Sequence, residues 1–348
     1  MRDTYVTVTC QAESEELCLN ELFKLGCKLR FDRRLDHGVM LICTDLPFPE
    51  FSELVRSSRL IFLRHIAPVD VTQERDGDGF STLPTELDAL AARLDPTAAF
   101  GVQLRKCNVD AETAHSLRRR ITEHLERYGF RHDTRRPQQV VSVYCTEDRL
   151  LIGLSRTFEN LSDWGGGMRM YAYREDTISR AEFKLLEAIE RFALELPVNG
   201  AALDLGAAPG GWSKVLLERG MRVLAVDPAE LSPTLSSNPN LTHFKGLAQD
   251  LPMANGRTFD LLTNDMRMDT RESVEITNSM SRYLCDGGLA IVTFKLPKKG
   301  ITAIVNKGLR LLEESFTLLH AKQLFHNRSE ITVVAVKGKP LTVGSGEA

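Results

Sequence analysis

The spacing of apolar positions changes along the chain, and each spacing predicts a different element. Tyr5 to Thr9 alternates in the manner of a strand. Glu15 to Leu25 places Cys18, Leu22 and Leu25 three or four apart, which predicts a helix that Gly26 ends. Gly38 to Cys43 reads as a strand, Phe51 to Ser57 as a helix and Leu60 to Leu63 as a further strand. This β-α-β-α-β order predicts a small α+β module of the ferredoxin-like kind over residues 1–70.

The polar run Thr72 to Gly79 is rich in turn formers and reads as a linker or long loop. Leu83 to Leu94 is a predicted helix and Phe100 to Leu104 a strand. Ala114, Leu117, Ile121, Leu125 and Tyr128 then trace one helical face, and Gln139–Cys145 with Leu150–Leu154 forms a hairpin. These elements make a second module over 71–160, and the Gly-rich stretch 161–177 is its connector to the last domain. Over 178–338 the pattern becomes buried strands alternating with helices, at 201–204, 222–226, 241–244, 259–262 and 289–294. That alternation predicts a mostly parallel sheet covered by helices on both faces. Two strands at 321–325 and 331–337 predict an antiparallel hairpin at one sheet edge, and 339–348 reads as a disordered tail.

Composition narrows the classes. With 348 residues, 43% hydrophobic and 26% charged, the chain is ordinary for a soluble protein. No apolar run approaches the ~20 residues that span a bilayer, and Met1 to Gln11 lacks the apolar core of a signal peptide. The seven cysteines include no C-x-x-C pair, so reduced buried thiols are favoured over a zinc site or a disulfide framework, and a cytoplasmic location follows. No metal is expected. The net charge of −3 argues mildly against a wholly basic nucleic-acid binder. Local charge reads differently: Arg105 to Arg136 holds nine basic and five acidic residues. Taken alone, that run is better explained as a solvated helix face.

The strongest chemical signal is Leu203-Asp204-Leu205-Gly206-Ala207-Ala208-Pro209-Gly210-Gly211-Trp212-Ser213. A buried strand ends in a glycine-rich turn and a helix begins at once. Such a turn lets the backbone approach a ligand at the carboxyl edge of an open α/β sheet. The spacing is not G-x-G-x-x-G, which disfavours a dinucleotide pyrophosphate. Asp227 ends the next strand, where a carboxylate commonly takes ribose hydroxyls. Together they predict S-adenosylmethionine as cofactor, held by Gly206, Ala208, Pro209, Gly210, Gly211, Trp212 and Asp227.

Around this turn the sequence resembles the FtsJ/RlmE-type ribose 2′-O-methyltransferases, most closely the RlmM type, which modifies a cytidine of bacterial 23S rRNA. The resemblance covers about Ser179 to Lys337. It is carried by Ser179-Arg180-Ala181-Glu182-Phe183-Lys184-Leu185, by Asp265-Met266, by Phe294-Lys295-Leu296-Pro297 and by Gln323 to Glu330. It implies a Rossmann-like methyltransferase domain with Lys184, Asp265, Lys295 and Glu330 as a catalytic tetrad. Lys295 is the candidate general base, which requires its pKa to be lowered by burial and by a second cation, Lys184. Asp265 would face the sulfonium as a cofactor contact and orient Lys295, and Glu330 would hold Lys184 or the target ribose. The chain departs from the pattern at three places: Leu247 stands where an acidic adenine contact is usual, with Asp250 left open as its substitute; Ala181 replaces a serine; and Met266-Arg267-Met268 replaces a small or Pro-containing run.

Residues 100–143 resemble a THUMP domain, through Phe100 to Lys106, the basic helix and Arg136 to Val143. That resemblance turns the basic segment into an expected RNA-docking surface, with Arg105, Lys106, Arg118, Arg119, Arg120, Arg135 and Arg136 as its contacts. The partner it implies is RNA, 23S rRNA or a large-subunit precursor. The alternatives are a methyltransferase acting on another RNA such as tRNA, and a non-catalytic RNA-binding assembly factor. Amino methylation is disfavoured because Asn264-Asp265-Met266-Arg267 stands where an N/D-P-P-Y run would be. Cysteine-dependent C5 methylation would have only Cys285 near the fourth or fifth strand of the last domain. The oligomeric state is not legible.

Overall fold

A computed structural model describes residues 3–76, 80–252 and 258–338. The expected tail, 339–348, and Gly77 to Gly79 of the expected linker lie outside the described residues. The chain divides into two units, Met1–Arg169 and Met170–Ala348.

In the first unit, β1 (Thr4–Thr9), α1 (Glu15–Leu22), β2 (Leu29–Asp36), β3 (Val39–Thr44), α2 (Phe48–Ser57) and β4 (His65–Val69) build an antiparallel sheet of order β2-β3-β1-β4. This is a β-α-β-β-α-β arrangement with one strand more than the sequence pattern predicted. The pattern missed β2 because it is a half-exposed edge strand, interrupted by two bulges and carrying Arg30, Asp32, Arg33 and Arg34, a composition that blunts edge pairing. The expected strand Leu60–Leu63 is buried but is not one of the strands of the sheet. The Glu21 carboxylate accepts the backbone N–H groups of Ile61 (2.9 Å) and Phe62 (2.8 Å), and pairing starts only at His65.

The second sheet, of order β5-β8-β7-β6, comes from β5 (Val71–Glu74), α3 (Leu83–Ala91), β6 (Phe100–Lys106), α4 (Ala111–Glu126), β7 (Gln139–Cys145) and β8 (Arg149–Arg156). The start of the expected linker is thus strand β5, paired to β8. The two sheets share a core in which Val39, Leu41 and Ala67 meet Cys107, Tyr144 and Leu151. They cross at Gly153, where a Cβ would sit 1.9 Å from the Pro68 carbonyl oxygen. The first half of the expected connector is also structure. Thr9 Oγ1 donates to the Gly166 carbonyl (2.9 Å) and Gln103 Nε2 to that of Asp163 (2.8 Å), so these residues belong to the first unit.

The second unit contains α5 (Ala181–Arg191), β9 (Ala201–Leu205), α6 (Gly211–Leu217), β10 (Arg222–Val226), β11 (Leu241–Phe244), β12 (Phe259–Asn264), α7 (Thr270–Met280), β13 (Leu284–Lys295), α8 (Ile301–Leu312), β14 (Phe316–Lys322) and β15 (Glu330–Lys337). The sheet order is β11-β10-β9-β12-β13-β15-β14, parallel from β11 to β13. β15 is antiparallel to both β13 and β14 and lies between them. Strand order reverses direction between β9 and β12, so the loops after these two strands part at the carboxyl edge and open a crevice.

Candidate active site

The crevice is a cavity of about 790 Å3, lined from five places: 179–181 with Lys184, 206–209 with 211–212, Asp227, 265–268, and Lys295 with 328–330. Sheet register assembles its reactive end. Lys295 pairs directly with Glu330 across β13 and β15. Asn264 pairs with Val292, which sets the next residue, Asp265, beside Thr293. Lys184 reaches in from α5 and closes the ring. Its Nζ lies 2.5 Å from Asp265 Oδ2 and 2.9 Å from Glu330 Oε1. Lys295 Nζ lies 2.6 Å from Asp265 Oδ1, donates to Thr293 Oγ1 at 2.9 Å and pairs with Glu330. All four expected tetrad residues therefore meet.

The charges in this ring cancel, and their mutual hold decides their protonation. Burial alone would push the Asp265 carboxyl up. The ammoniums of Lys184 and Lys295 outweigh it and hold the group below the usual carboxylate range. Burial disfavours the charged form of Lys295 as well, yet Asp265 and then Glu330 more than offset it, so its pKa is raised. This corrects the expected lowering. A second cation does sit nearby, but two carboxylates lie between the two lysines.

The glycine-rich turn does what its composition predicts at two positions. At Gly206, with φ of +72°, a Cβ would stand 2.8 Å from the Met266 backbone; at Gly211 it would stand 2.4 Å from Ser179 Oγ. The missing side chains let the β12 loop and the start of α5 close on the turn. Gly210, expected as a cofactor contact, does not line the cavity: it turns the chain into α6 with φ of +111° and packs near Leu235. Trp212 is buried and donates from Nε1 to the Ala181 carbonyl (2.8 Å). Asp227 accepts the N–H groups of Ala208 (3.1 Å) and Ala229 (2.8 Å), one on each oxygen, and each oxygen keeps a lone pair for a ribose hydroxyl. Leu247 and Asp250 do not line the cavity.

Two contributors were not anticipated. Thr293 shares a strand face with Lys295, two residues on, and donates to Asp265 Oδ1 (2.8 Å); period-2 spacing was the available signal. Glu187, buried one turn after Lys184, accepts the N–H groups of Phe325 and His326, both at 2.8 Å. It fixes the segment that delivers Glu330, and no sequence pattern pairs it with that segment.

The expected RNA contacts all lie in the first unit, and they separate into two groups. Arg118, Arg119 and Arg120 are exposed on α4, and Arg119 makes a loose ion pair with Glu123 at 3.8 Å. Lys106, Arg135 and Arg136 are exposed too. Arg105 is half-buried, and its guanidinium donates to the Met168 sulfur, so it is withdrawn from the exposed set. Among the described residues there is no cluster of three or more metal-ligating side chains. No described helix is long and apolar enough to cross a membrane.

Residues 177–337 match the FtsJ-like methyltransferase family. Three curated relatives share the name Ribosomal RNA large subunit methyltransferase M. That of Halorhodospira halophila is 35% identical over 178 residues, 49% of this chain and 51% of its own length. That of Pseudomonas entomophila is 28% identical over 294 residues, 80% of each chain. That of Pasteurella multocida is 28% identical over 307 residues, 80% of this chain and 82% of its own. The chain thus spans about half the length of the first relative and about four fifths of the other two.

Proposed function

We propose, from the match of residues 177–337 to the FtsJ-like methyltransferase family, that this protein methylates a ribose 2′-hydroxyl of large-subunit ribosomal RNA, a cytidine of 23S rRNA being the favoured target, with S-adenosylmethionine as donor. The observation that carries the reading is the closed Lys184-Asp265-Lys295-Glu330 ring at the floor of the cofactor-sized cavity. The residues present fit the cofactor: the cavity lies within the ~300–1,000 Å3 usual for such sites, Asp227 offers a carboxylate at the second strand's end, and Gly206 to Trp212 offer a backbone cradle.

When bound, S-adenosylmethionine supplies an electrophilic methyl on a positively charged sulfur. The protein's part is to orient the hydroxyl and take one proton. Lys295 Nζ is the accepting atom. In the closed ring it carries its own proton, held there by Asp265 and Glu330. With positive charge placed beside Asp265, that carboxylate would hold Lys295 less tightly, and the Lys295 proton would pass to solvent before Nζ takes the proton of the hydroxyl. Lys184 keeps Asp265 and Glu330 in place throughout. Thr293 fixes the Asp265 oxygen that faces Lys295. The exposed arginines of α4 would take phosphates of the same RNA, adding affinity with little sequence reading.

Mapping 2′-O-methyl marks on rRNA from cells with and without the protein tests this reading. Loss of one mark, restored by the wild-type chain and not by Lys295→Ala, is expected. An unchanged map would return the chain to the non-catalytic alternative, and a lost mark on tRNA would move the substrate.

A further inference from the structure

The cavity holds more positive charge than its chemistry uses. The tetrad cancels itself, and Asp227 is the only other carboxylate among the described residues that line it. Against Asp227 stand three guanidiniums, Arg180, Arg267 and Arg328. All three residues are exposed, and among the described residues none has a side-chain hydrogen bond or ion pair. The amino-acid carboxylate of the cofactor can engage one of them and leaves two.

Arg267 is the most firmly placed. Its loop leaves β12 at Asn264, whose side-chain oxygen accepts the Met266 N–H (3.0 Å) and whose amide donates to Ser273 Oγ (3.0 Å) and Thr277 Oγ1 (2.9 Å). The Met266 backbone is wedged against Gly206. Downstream, Asp269 caps α7 by accepting the Arg271 N–H (2.8 Å). Arg267 therefore sits on a loop pinned on both sides, two residues from the carboxylate that holds both lysines. It also falls in the Met266-Arg267-Met268 run that sets this sequence apart from the pattern it otherwise follows.

We propose that Arg267 grips a phosphate next to the target ribose, with Arg180 and Arg328 as supporting contacts. The proposal rests on the function proposed above. In RNA the 3′ phosphate is attached to the carbon adjacent to the one bearing the 2′-hydroxyl. A hydroxyl delivered to Lys295 must therefore bring that phosphate into the same cavity. A guanidinium suits it, because its planar fork gives two parallel N–H bonds to phosphate oxygens. Such a contact positions the strand without reading its bases. It is local to the reacting nucleotide and belongs to the catalytic unit, so it is distinct from the α4 arginines.

The test uses the full chain, its Arg267→Ala and Arg267→Lys variants, and protein-free large-subunit rRNA. RNA binding across a salt series, methyl-transfer kinetics and cofactor affinity are measured separately. Arg267→Ala is expected to raise KM for rRNA about fivefold and to reduce the slope of log affinity against log salt by about 0.7–0.9, the value of one neutralised phosphate. Cofactor affinity should stay within about twofold, and Arg267→Lys should keep the slope because it keeps the charge. An unchanged slope and KM in Arg267→Ala would overturn the proposal. So would a parallel loss of cofactor affinity, which would assign Arg267 to the cofactor. If the wild-type chain leaves no 2′-O-methyl mark, the proposed function fails, and the binding slope still judges Arg267.

Discussion

Two regions concentrate lysine and arginine, and they treat that charge in opposite ways. In the tetrad, each lysine Nζ touches two carboxylates, and all four side chains are between 11 and 24% exposed. On α4, Arg118, Arg119 and Arg120 lie in solvent, with one loose pair to Glu123 among them. The difference follows from solvation. A lysine taken out of water must be matched on the spot, and removing one partner of such a pair costs about 3–5 kcal/mol. An arginine left in water needs no partner within the chain, and its surface pairs are worth about 0–1 kcal/mol. The first arrangement is a device for holding one geometry. The second keeps its charge for a polyanion.

The largest effect should come from breaking the matched ring at its proposed base. Lys295→Ala is expected to lower kcat by about 10²–10⁴-fold, the usual worth of general-base catalysis. Lys295→Arg separates charge from basicity. It keeps the cation between Asp265 and Glu330 but cannot give up a proton near neutrality, so it should be as inactive as the alanine variant while melting close to the wild type. Full activity in Lys295→Arg would remove the base assignment. The raised Lys295 pKa also has a sign. The proton must leave before Nζ can accept another, so kcat of the wild type should rise with pH across neutrality, with log kcat climbing by up to about one per unit. A flat profile would point to positioning alone.

The exposed region should answer to salt instead. Replacing Arg118, Arg119 and Arg120 together by alanine is expected to weaken rRNA binding about tenfold at physiological salt and to flatten its salt dependence by as much as about 0.9 for each phosphate left unneutralised. kcat at saturating RNA should not change. An unaltered salt slope would make this helix face a solvated surface and nothing more.

A smaller effect should come from Glu187, which lies outside the ring and serves its geometry. Glu187→Gln keeps one acceptor but turns an amide toward a backbone N–H. The segment from Phe325 to Glu330 then loses one of the two hydrogen bonds it makes to Glu187. We expect kcat about fivefold lower, with cofactor affinity and the RNA salt slope unchanged. A loss confined to thermal stability would leave Glu187 with no bearing on the site.

How far each region was legible follows from the same contrast. Strands β9 and β10 are short, mostly apolar runs buried along nearly their whole length, and the strand spans at 222–226 and 241–244 agree with the sequence pattern residue for residue. Strand β2 has no such burial and was invisible. The tetrad could be assembled on paper because four short motifs flank the glycine-rich turn in order. Its protonation could not be. Whether a second lysine lowers or a carboxylate raises the Lys295 pKa depends on distances of 2.5–2.9 Å that only the β13–β15 register and the reach of α5 create. Glu187 was illegible for the related reason that its partners are backbone N–H groups nearly 140 residues away.

Asp204 isolates the part that cations play. It lies on β9, level with Thr263 of β12, and is buried more deeply than Asp265. It receives hydroxyl hydrogen bonds from Ser213 (2.6 Å) and Thr263 (2.8 Å), and among the described residues no ammonium pairs with it. Burial pushes its carboxyl up to about 6, and the bonds from Ser213 and Thr263 only partly oppose this. A raised carboxyl pKa means that the unfolded chain sheds its proton first. Stability from this group is full below about pH 4 and falls as pH rises through about 6, by up to about 3 kcal/mol. Asp204→Asn should remove that decline with little change in activity, since both hydroxyls can turn to suit an amide. Its melting temperature should therefore gain on the wild type between about pH 4 and pH 7. Asp265→Asn should do the opposite in a lower window, because the lysines depress the Asp265 pKa: its stabilisation is complete above about pH 4 and is lost as pH falls below that, so the variant should be worst off against the wild type at neutral pH and close the gap in acid. Melting curves that shift in the same direction for the two variants would mean that burial, and not the pairing with Lys184 and Lys295, governs both carboxylates.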